Sequence, residues 1–422
     1  MSKVAVVGTS YVGLTTGAYL AHLGHEVVCA DLDESKVARL RQGQIPIFEA
    51  GLEDMVRRGM DGRRLSFVVG APAAVVDAEF VFLCVQTPQG ADGAADMSFI
   101  ETAAREIAPH LRSEAVVINK STVPVGSTRV VEQALGRADV SVVSNPEFLR
   151  EGSAVHDCLH PDRIVIGSDD QAAAVRVVSL FEGLEAPLMV TDPASAETIK
   201  YAANAFLATK ISFVNAIANL CEAVGADVRD VMLGLGYDTR IGFEFLKPGP
   251  GWGGSCLPKD TSALIHIGED AGYDFALLRG VVAVNDEQHQ RVVNKIVAMA
   301  GGSVDRLIVG VWGLAFKART DDTRYSPAIA VVKRLLALGA VVQAFDPAVT
   351  VEVPGVVVCD DAYGACQGAS VLAVLTEWDE FRWVELEKVH AAMAAPAIVD
   401  ARNLLDPAMA RRKGFSYQGI GR

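Results

Sequence analysis

The first 190 residues alternate short β-branched runs with stretches of helical spacing. The runs fall at 3–7, 27–30, 65–69, 80–85, 115–119, 140–143 and 164–166, and the segments between them are long enough for crossover helices. This alternation predicts a mostly parallel, doubly wound sheet. From 194 to 224 the character changes, because a stretch with no Gly or Pro after Pro193 repeats its apolar residues at helical spacing. It predicts one helix of about 31 residues, roughly 46 Å long, which is longer than a small domain is wide and therefore suited to linking two domains. Helical spacing continues to about residue 300, broken by a Gly- and Pro-rich stretch at 247–259.

From Arg306 the β/α alternation returns and repeats the start. RLIVGVWGLAFK, LGAVVQAFDP and SVLAVLTEW echo SKVAVVGTSYVG, LGHEVVCADLD and EFVFLCVQTP, with an Asp closing the second strand in each half, Asp31 and Asp346. The expected fold is α/β: two Rossmann-like doubly wound lobes joined by a long helix and a helical middle domain, divided as 1–193, 194–300 and 301–422.

Composition narrows the class. Half of the 422 residues are hydrophobic and 21% are charged, enough apolar material for real cores, so disorder is excluded. With 38 Lys and Arg against 52 Asp and Glu the net charge is −14, and there is no basic run, so nucleic acid is not an expected partner. An anionic substrate would need local positive charge. No long apolar stretch is free of polar breaks, and the chain enters a strand at once with no signal-peptide pattern, so a soluble, cytoplasmic protein is expected, without membrane contact. Seven cysteines with no CxxC or Cys/His spacing argue against a disulfide framework or a metal.

Two stretches carry chemistry. Gly8-Thr9-Ser10-Tyr11-Val12-Gly13 lies between the first strand and a helix, where main-chain N–H groups can hold a pyrophosphate. Ser10 replaces the usual middle glycine, but Asp31, 18 residues after Gly13, stands where a carboxylate binds a ribose 2′-hydroxyl and repels a 2′-phosphate. NAD is therefore expected rather than NADP. The second stretch, Gly249 to Asp260, wraps four glycines around Trp252 and presents Cys256 beside Lys259 and Asp260. Trp252 reads equally as a substrate contact or a loop anchor.

With these, CVQTP (84–88), KSTVPVGST (120–128), NPEFLREGSA (145–154), KYAANAF (200–206), DTRIG (238–242), GLAFKARTDDTR (313–324) and DAR (400–402) resemble the UDP-glucose/GDP-mannose dehydrogenase family, in family order and across essentially the whole chain. The resemblance implies an enzyme that oxidises a nucleotide sugar at C6 from alcohol to carboxylate, using two NAD, with a cysteine trapping the aldehyde. DTRIG with GWGGSC is more like the branch acting on UDP-glucose; TDP-glucose, GDP-mannose and UDP-N-acetylhexosamines are the alternatives. A non-catalytic binding protein that kept the fold is disfavoured by intact Cys256, Lys200, Asn204 and Asp260.

By resemblance, Cys256 is the nucleophile, and Lys200 and Asn204, four residues apart on one helix face, hold the reacting oxygen. Glu147 and Glu151 share that spacing in NPEFLRE. The resemblance places both at the site and gives Glu151 the base and water-activating work, with Thr122 and Asp260 orienting water. The cofactor would be held by Gly8, Tyr11, Val12, Gly13, Asp31, Thr87, Thr122, Glu151 and Arg324. The sugar nucleotide would lie against Glu147, Lys200, Asn204, Phe245, Leu246, Lys247, Gly253, Lys259, Lys317 and Arg402, with Arg240 reaching across from a second subunit. A homodimer built on the long helix is expected.

Overall fold

All seven runs expected in the first 190 residues are strands, and an eighth follows them. In the computed structural model, which describes residues 1–88, 90, 95–349 and 353–422, they are Lys3–Val7 (β1), Glu26–Asp31 (β2), Leu65–Val69 (β3), Phe80–Leu83 (β4), Val116–Asn119 (β5), Ser141–Ser144 (β6), Ile164–Gly167 (β7) and Leu188–Thr191 (β8). They form one sheet in the order β3-β2-β1-β4-β5-β6-β7-β8. Every pairing is parallel except β6 with β7, which meet antiparallel at Ser144 and Gly167.

The doubly wound character is visible residue by residue. Val4 and Val6 of β1 and Phe80 and Phe82 of β4 feed the apolar cluster on one face of the sheet, while Ala5, Val7, Val81 and Leu83 feed the cluster on the other. Period-2 alternation therefore never exposes these strands, and each fully buried Val, Leu or Phe contributes about 1.5 to 3 kcal/mol. β8 escapes the pattern because it is an edge strand whose Leu188, Met189 and Val190 are exposed.

After β8 the helix Pro193–Val224 runs without interruption for 32 residues, one residue longer at its start than expected. The helices Val228–Gly236, Leu257–Asp270 and Ala276–Met299 follow. Next come Ile308–Trp312 (β9), Val341–Phe345 (β10), Val356–Val358 (β11), Val371–Val374 (β12), Ala397–Asp400 (β13) and Ser416–Gln418 (β14). These six form a second, wholly parallel sheet ordered β11-β10-β9-β12-β13-β14, so the repeat read in the sequence is a repeat of architecture. Its core is anchored by Trp312, stacked on Phe381 with ring centroids 5.1 Å apart.

Two compact units result. The first comprises Met1–Ala203 and Ser262–Asp270, the second Asn204–Thr261 and Ala271–Arg422. The division falls inside the long helix, so Lys200 belongs to the first unit and Asn204, one turn later, to the second.

Candidate active site

In the first unit the turn after β1 is built by two close approaches. Gly8 has φ +96°, and a Cβ there would lie 2.6 Å from the Cys84 carbonyl oxygen; one on Gly13 would lie 1.9 Å from the Gly8 oxygen. Any side chain at either position would push the turn off the sheet. The helix Tyr11–His22 starts immediately, and its cap residue, Ser10, makes no side-chain capping bond. The Ser10 hydroxyl instead donates back to the Cys84 carbonyl at 3.3 Å, so the serine that breaks the glycine pattern is turned away from the helix N-terminus. Tyr11 and Val12 open that first turn.

Asp31 ends β2 as expected, and its surroundings add groups the sequence reading missed. Its Oδ2 accepts from the Thr9 amide (3.0 Å), the Thr9 hydroxyl (2.5 Å) and the Lys36 ammonium (2.9 Å). Partial burial alone would raise this carboxyl, but the bonds from Thr9 and Lys36 hold it down at about 2. Lys36 sits at the first turn of the next helix, beside the carboxylate that would read a ribose. The close-packed glycine turn, the uncapped helix start and the ionised Asp31 fit a dinucleotide.

The second sheet repeats this turn but closes it. Asp346 is buried, and its Oδ2 accepts from the Leu314 and Ala315 amides at 2.7 and 3.0 Å and from the Trp378 indole at 3.1 Å. The residue that corresponds to Asp31 is thus consumed in holding its own loop.

Further along the first unit, the Thr87 hydroxyl donates to the Thr122 carbonyl at 2.8 Å, which ties CVQTP to KSTVP. Tyr11 donates to Glu49, and the Gly152 amide donates to both the Tyr11 oxygen (3.1 Å) and Glu49 (2.7 Å). Burial and the charge of Glu49 push the Tyr11 phenol up.

NPEFLRE is extended and turn-like rather than helical, so the four-residue spacing does not place its two carboxylates on one face. Glu147 points inward, and its Oε1 accepts from Lys200 Nζ at 2.8 Å with both side chains about 5% exposed or less. Glu151 stays half-buried in the turn that follows. Burial would raise Glu147, but the charge and hydrogen bond of Lys200, the Leu149 amide and the charge of Lys120 together hold it below the usual carboxylate range. Lys120 is itself buried, donates to Asn145 at 2.9 Å, and is pushed down by that burial. It was missed as an unremarkable Lys before the KSTVP threonine; a cation directly after the fully buried strand Val116–Asn119 was the signal.

In the second unit, Asp260 is wholly buried and both its oxygens are taken: Oδ2 by Asn204 Nδ2 at 2.5 Å and Oδ1 by Lys259 Nζ at 2.7 Å. The carboxylate expected to orient water thus also orients Asn204 and Lys259. The Cys256 carbonyl accepts from the Asp260 amide at 2.9 Å, which places Cys256 at the cap of the helix Leu257–Asp270, where negative charge on sulfur is favoured.

The glycines before it are packed to contact. A Cβ on Gly253 would lie 2.0 Å from the Tyr325 carbonyl oxygen, and one on Gly254 2.8 Å from the Phe316 ring. Trp252 is buried with its indole donating to Ser212 at 2.9 Å, so it is a loop anchor.

The same unit brings most of the expected cations to this loop. Arg402 donates to the Leu375 and Phe316 carbonyls at 2.9 and 3.0 Å, pairs with Glu377, and lies 3.1 Å from where a Gly249 Cβ would sit. Lys317 lies 5.5 Å from the centre of the Phe316 ring, and the Arg324 carbonyl accepts from the Gly254 amide while its guanidinium grips Asp322. Leu246 is in the core, Lys247 is exposed, and Phe245 holds a left-handed φ of +63°, as do Arg319 (+66°) and Tyr325 (+49°), so backbone strain gathers in the loops around Cys256. Arg240 is the exception: its side chain is 87% exposed and pairs only with Asp238 two residues away among the interactions seen.

Comparison with known proteins agrees along the whole chain. Residues 2–185 match the NAD binding domain of the UDP-glucose/GDP-mannose dehydrogenase family, 194–287 its central domain and 310–407 its UDP binding domain. A UDP-glucose 6-dehydrogenase of Rhizobium meliloti is 45% identical over 100% of this chain and 99% of its own length. One of Bacillus subtilis is 44% identical over 100% and 94%. A UDP-glucose dehydrogenase structure from Pyrobaculum islandicum superposes with a TM-score of 0.93 at 37% identity, covering 100% of this chain and 98% of that one. A UDP-D-ManNAc dehydrogenase from Pyrococcus horikoshii gives 0.88 at 28% identity, covering 99% of each.

Proposed function

The chain belongs to the UDP-glucose/GDP-mannose dehydrogenase family, and we propose that it oxidises UDP-glucose at C6 to UDP-glucuronate, reducing two NAD per sugar. The observation that carries the chemistry is Cys256 at a helix cap, one turn from a buried Asp260 that aims Asn204 and Lys259. Bound on the first unit, NAD supplies the hydride acceptor for both oxidations. The chain supplies the rest. Lys200 and Asn204 hold the reacting oxygen, each oriented by a buried carboxylate, Glu147 and Asp260. At the aldehyde stage the Cys256 sulfur adds to C6, forming a C–S bond and moving the carbonyl electron pair onto that oxygen as a thiohemiacetal. After the second oxidation, water adds to the thioester with Glu151 taking its proton, and the C–S bond breaks with sulfur leaving as thiolate. Lys259, Lys317 and Arg402 supply local positive charge for a diphosphate on a chain of net charge −14.

UDP-glucose is preferred as substrate because relatives named for it are 44 and 45% identical, whereas the neighbour named for an N-acetylhexosamine is at 28%. The active form is a homodimer in solution. Phe206, Phe213 and Leu220 recur every seven residues along the long helix and are all more than half exposed, an apolar stripe suited to a second copy. That helix is long and apolar enough to cross a membrane by length and composition, but its polar Lys200, Asn204 and Asn215 are packed inside protein, which supports a soluble, cytoplasmic enzyme. Exposed Arg240 is then available to complete a partner's site. NADH formation with a panel of UDP-glucose, TDP-glucose, GDP-mannose and UDP-N-acetylglucosamine tests the reading. The highest kcat/KM should belong to UDP-glucose, and a higher value for another sugar would move the branch assignment.

A further inference from the structure

Four glycines in the six residues 249–254 leave the loop before Cys256 with little conformational preference of its own, yet no strand pairs with it. Apart from the Gly254 amide, which donates to the Arg324 carbonyl at 3.1 Å, its main chain is held by side-chain amides. Asn285 closes both sides of Trp252: Oδ1 accepts from the Trp252 amide at 2.8 Å, and Nδ2 donates to the Trp252 carbonyl at 3.0 Å. Gln288 Nε2 donates to the Gly249 carbonyl at 2.9 Å and takes a bond from Asn219 at 3.0 Å, while the Gly249 amide donates to Asn215 at 2.8 Å. The Trp252 indole completes the set through Ser212.

Asn285, Gln288 and His289 are three and four residues apart, so they share the face of the helix Ala276–Met299 that also buries Val281 and Val292. Polar groups on an apolar helix face are costly unless bonded. Here Asn285 and Gln288 spend their bonds on the loop. The contact also dictates Gly251: with φ +134°, a Cβ there would lie 2.8 Å from Asn285 Oδ1 and 2.7 Å from His289 Nε2.

We propose that Asn285, assisted by Gln288, is the positioning residue of the Cys256 loop, doing through one side-chain amide what a neighbouring strand does for an ordinary loop. The proposal rests on the reading of Cys256 as nucleophile. Because Cys256 lies only four residues beyond Trp252, loss of the clamp shifts the sulfur relative to C6, and a misplacement of about 1 Å costs about 100-fold in turnover.

The test compares wild type, Asn285→Leu and Gln288→Met with a remote core truncation, Val389→Ala, chosen to match their loss of melting temperature. Two readouts are taken: kcat against KM for NAD with UDP-glucose, and the rate at which iodoacetamide alkylates Cys256 in the absence of substrates, followed by the mass of its peptide. The clamp predicts a fall of about 100-fold in kcat with KM for NAD unchanged, together with faster alkylation of Cys256, in Asn285→Leu and to a smaller extent in Gln288→Met. If Asn285→Leu does not fold, Gln288→Met carries the same test. Changes no larger than those of the matched core variant overturn the proposal. A wild type that oxidises no nucleotide sugar overturns the functional reading instead, and the alkylation rates still decide the clamp.

Discussion

Removing the carboxylate of Glu147 isolates the worth of the buried pair at the heart of the first unit. Glu147 and Lys200 are in contact at 2.8 Å with almost no exposure, and Lys120 is a second buried ammonium whose charge reaches both. Glu147→Gln keeps the shape but leaves two buried cations without the carboxylate, so the cost belongs near the upper end of about 3 to 5 kcal/mol for breaking such a pair. At about 2 to 4 °C per kcal/mol for a unit of this size, the melting temperature should fall by about 10 to 20 °C. The double variant Glu147→Leu/Lys200→Met removes the pair but leaves Lys120 buried without the carboxylate, so it should recover part of the stability while remaining without turnover, because the donor to the reacting oxygen is gone. The pH dependence has a fixed sign. Glu147 titrates below its ordinary value in the folded chain, so its contribution is full above the unfolded value near 4.5 and is lost as pH falls through the lower folded value. Calorimetry of the three proteins at neutral and acid pH reads all of this, and a Glu147→Gln protein that melts with the wild type would refute the argument that the pair is buried and costly to break.

Cys256→Ser should abolish formation of the carboxylate, since a hydroxyl lacks the thiolate's nucleophilicity, while UDP-glucose binding by calorimetry stays near wild type; full turnover would remove Cys256 from the mechanism. Asp31→Asn should weaken the preference for NAD over NADP by about tenfold or more, because the carboxylate's repulsion is lost while Lys36 remains. With Asp31 held at about 2 it is ionised throughout, so once the 2′-phosphate of NADP is fully charged, above its second pKa of about 6, the wild-type preference should be flat from about pH 7.5 to about pH 9 when kcat/KM is measured for both cofactors. Phe213→Glu, which puts a charge in the exposed stripe of the long helix, should shift sedimentation from dimer to monomer and lower activity with it; a fully active monomer would sever Arg240 from the site. Gly253→Ala forces a Cβ onto the Tyr325 carbonyl and should cost about 1 to 3 kcal/mol along with turnover.

The sequence made the architecture legible wherever burial left a periodic mark. β1 and β4 are buried on both faces and read cleanly, and the 32-residue helix announced itself by the absence of Gly and Pro. β8 was invisible because an exposed edge strand leaves no such mark. At the site, the glycine turn, Asp31 and the glycine-rich loop before Cys256 were legible from residue type and spacing, whereas Lys200 and the role of Cys256 came from the family resemblance. The structure adds two arrangements that spacing and residue type do not give. Glu147 and Glu151 diverge because NPEFLRE is not a helix, and Asp260 is taken up by Asn204 and Lys259. Of the positioning groups, Lys120 and Asn285 were missed because each acts through a partner far away in sequence, as Asn285 does on Trp252 33 residues before it, whereas Lys36 lies only five residues from Asp31 and was passed over as an ordinary helix lysine. Their trace in the sequence is a polar residue where the apolar rhythm calls for a core residue, as in Val281, Asn285, Gln288, Val292.

On the proposed mechanism one protein carries a C6 alcohol through both oxidations without releasing the aldehyde. Limiting UDP-glucose incubated with excess NAD until absorbance at 340 nm stops rising gives the stoichiometry directly, with the sugar nucleotide recovered and identified by mass. The wild type should form two NADH per UDP-glucose consumed, with UDP-glucuronate as the recovered product. One NADH per sugar, with a carbonyl reagent capturing a C6 aldehyde, would contradict it.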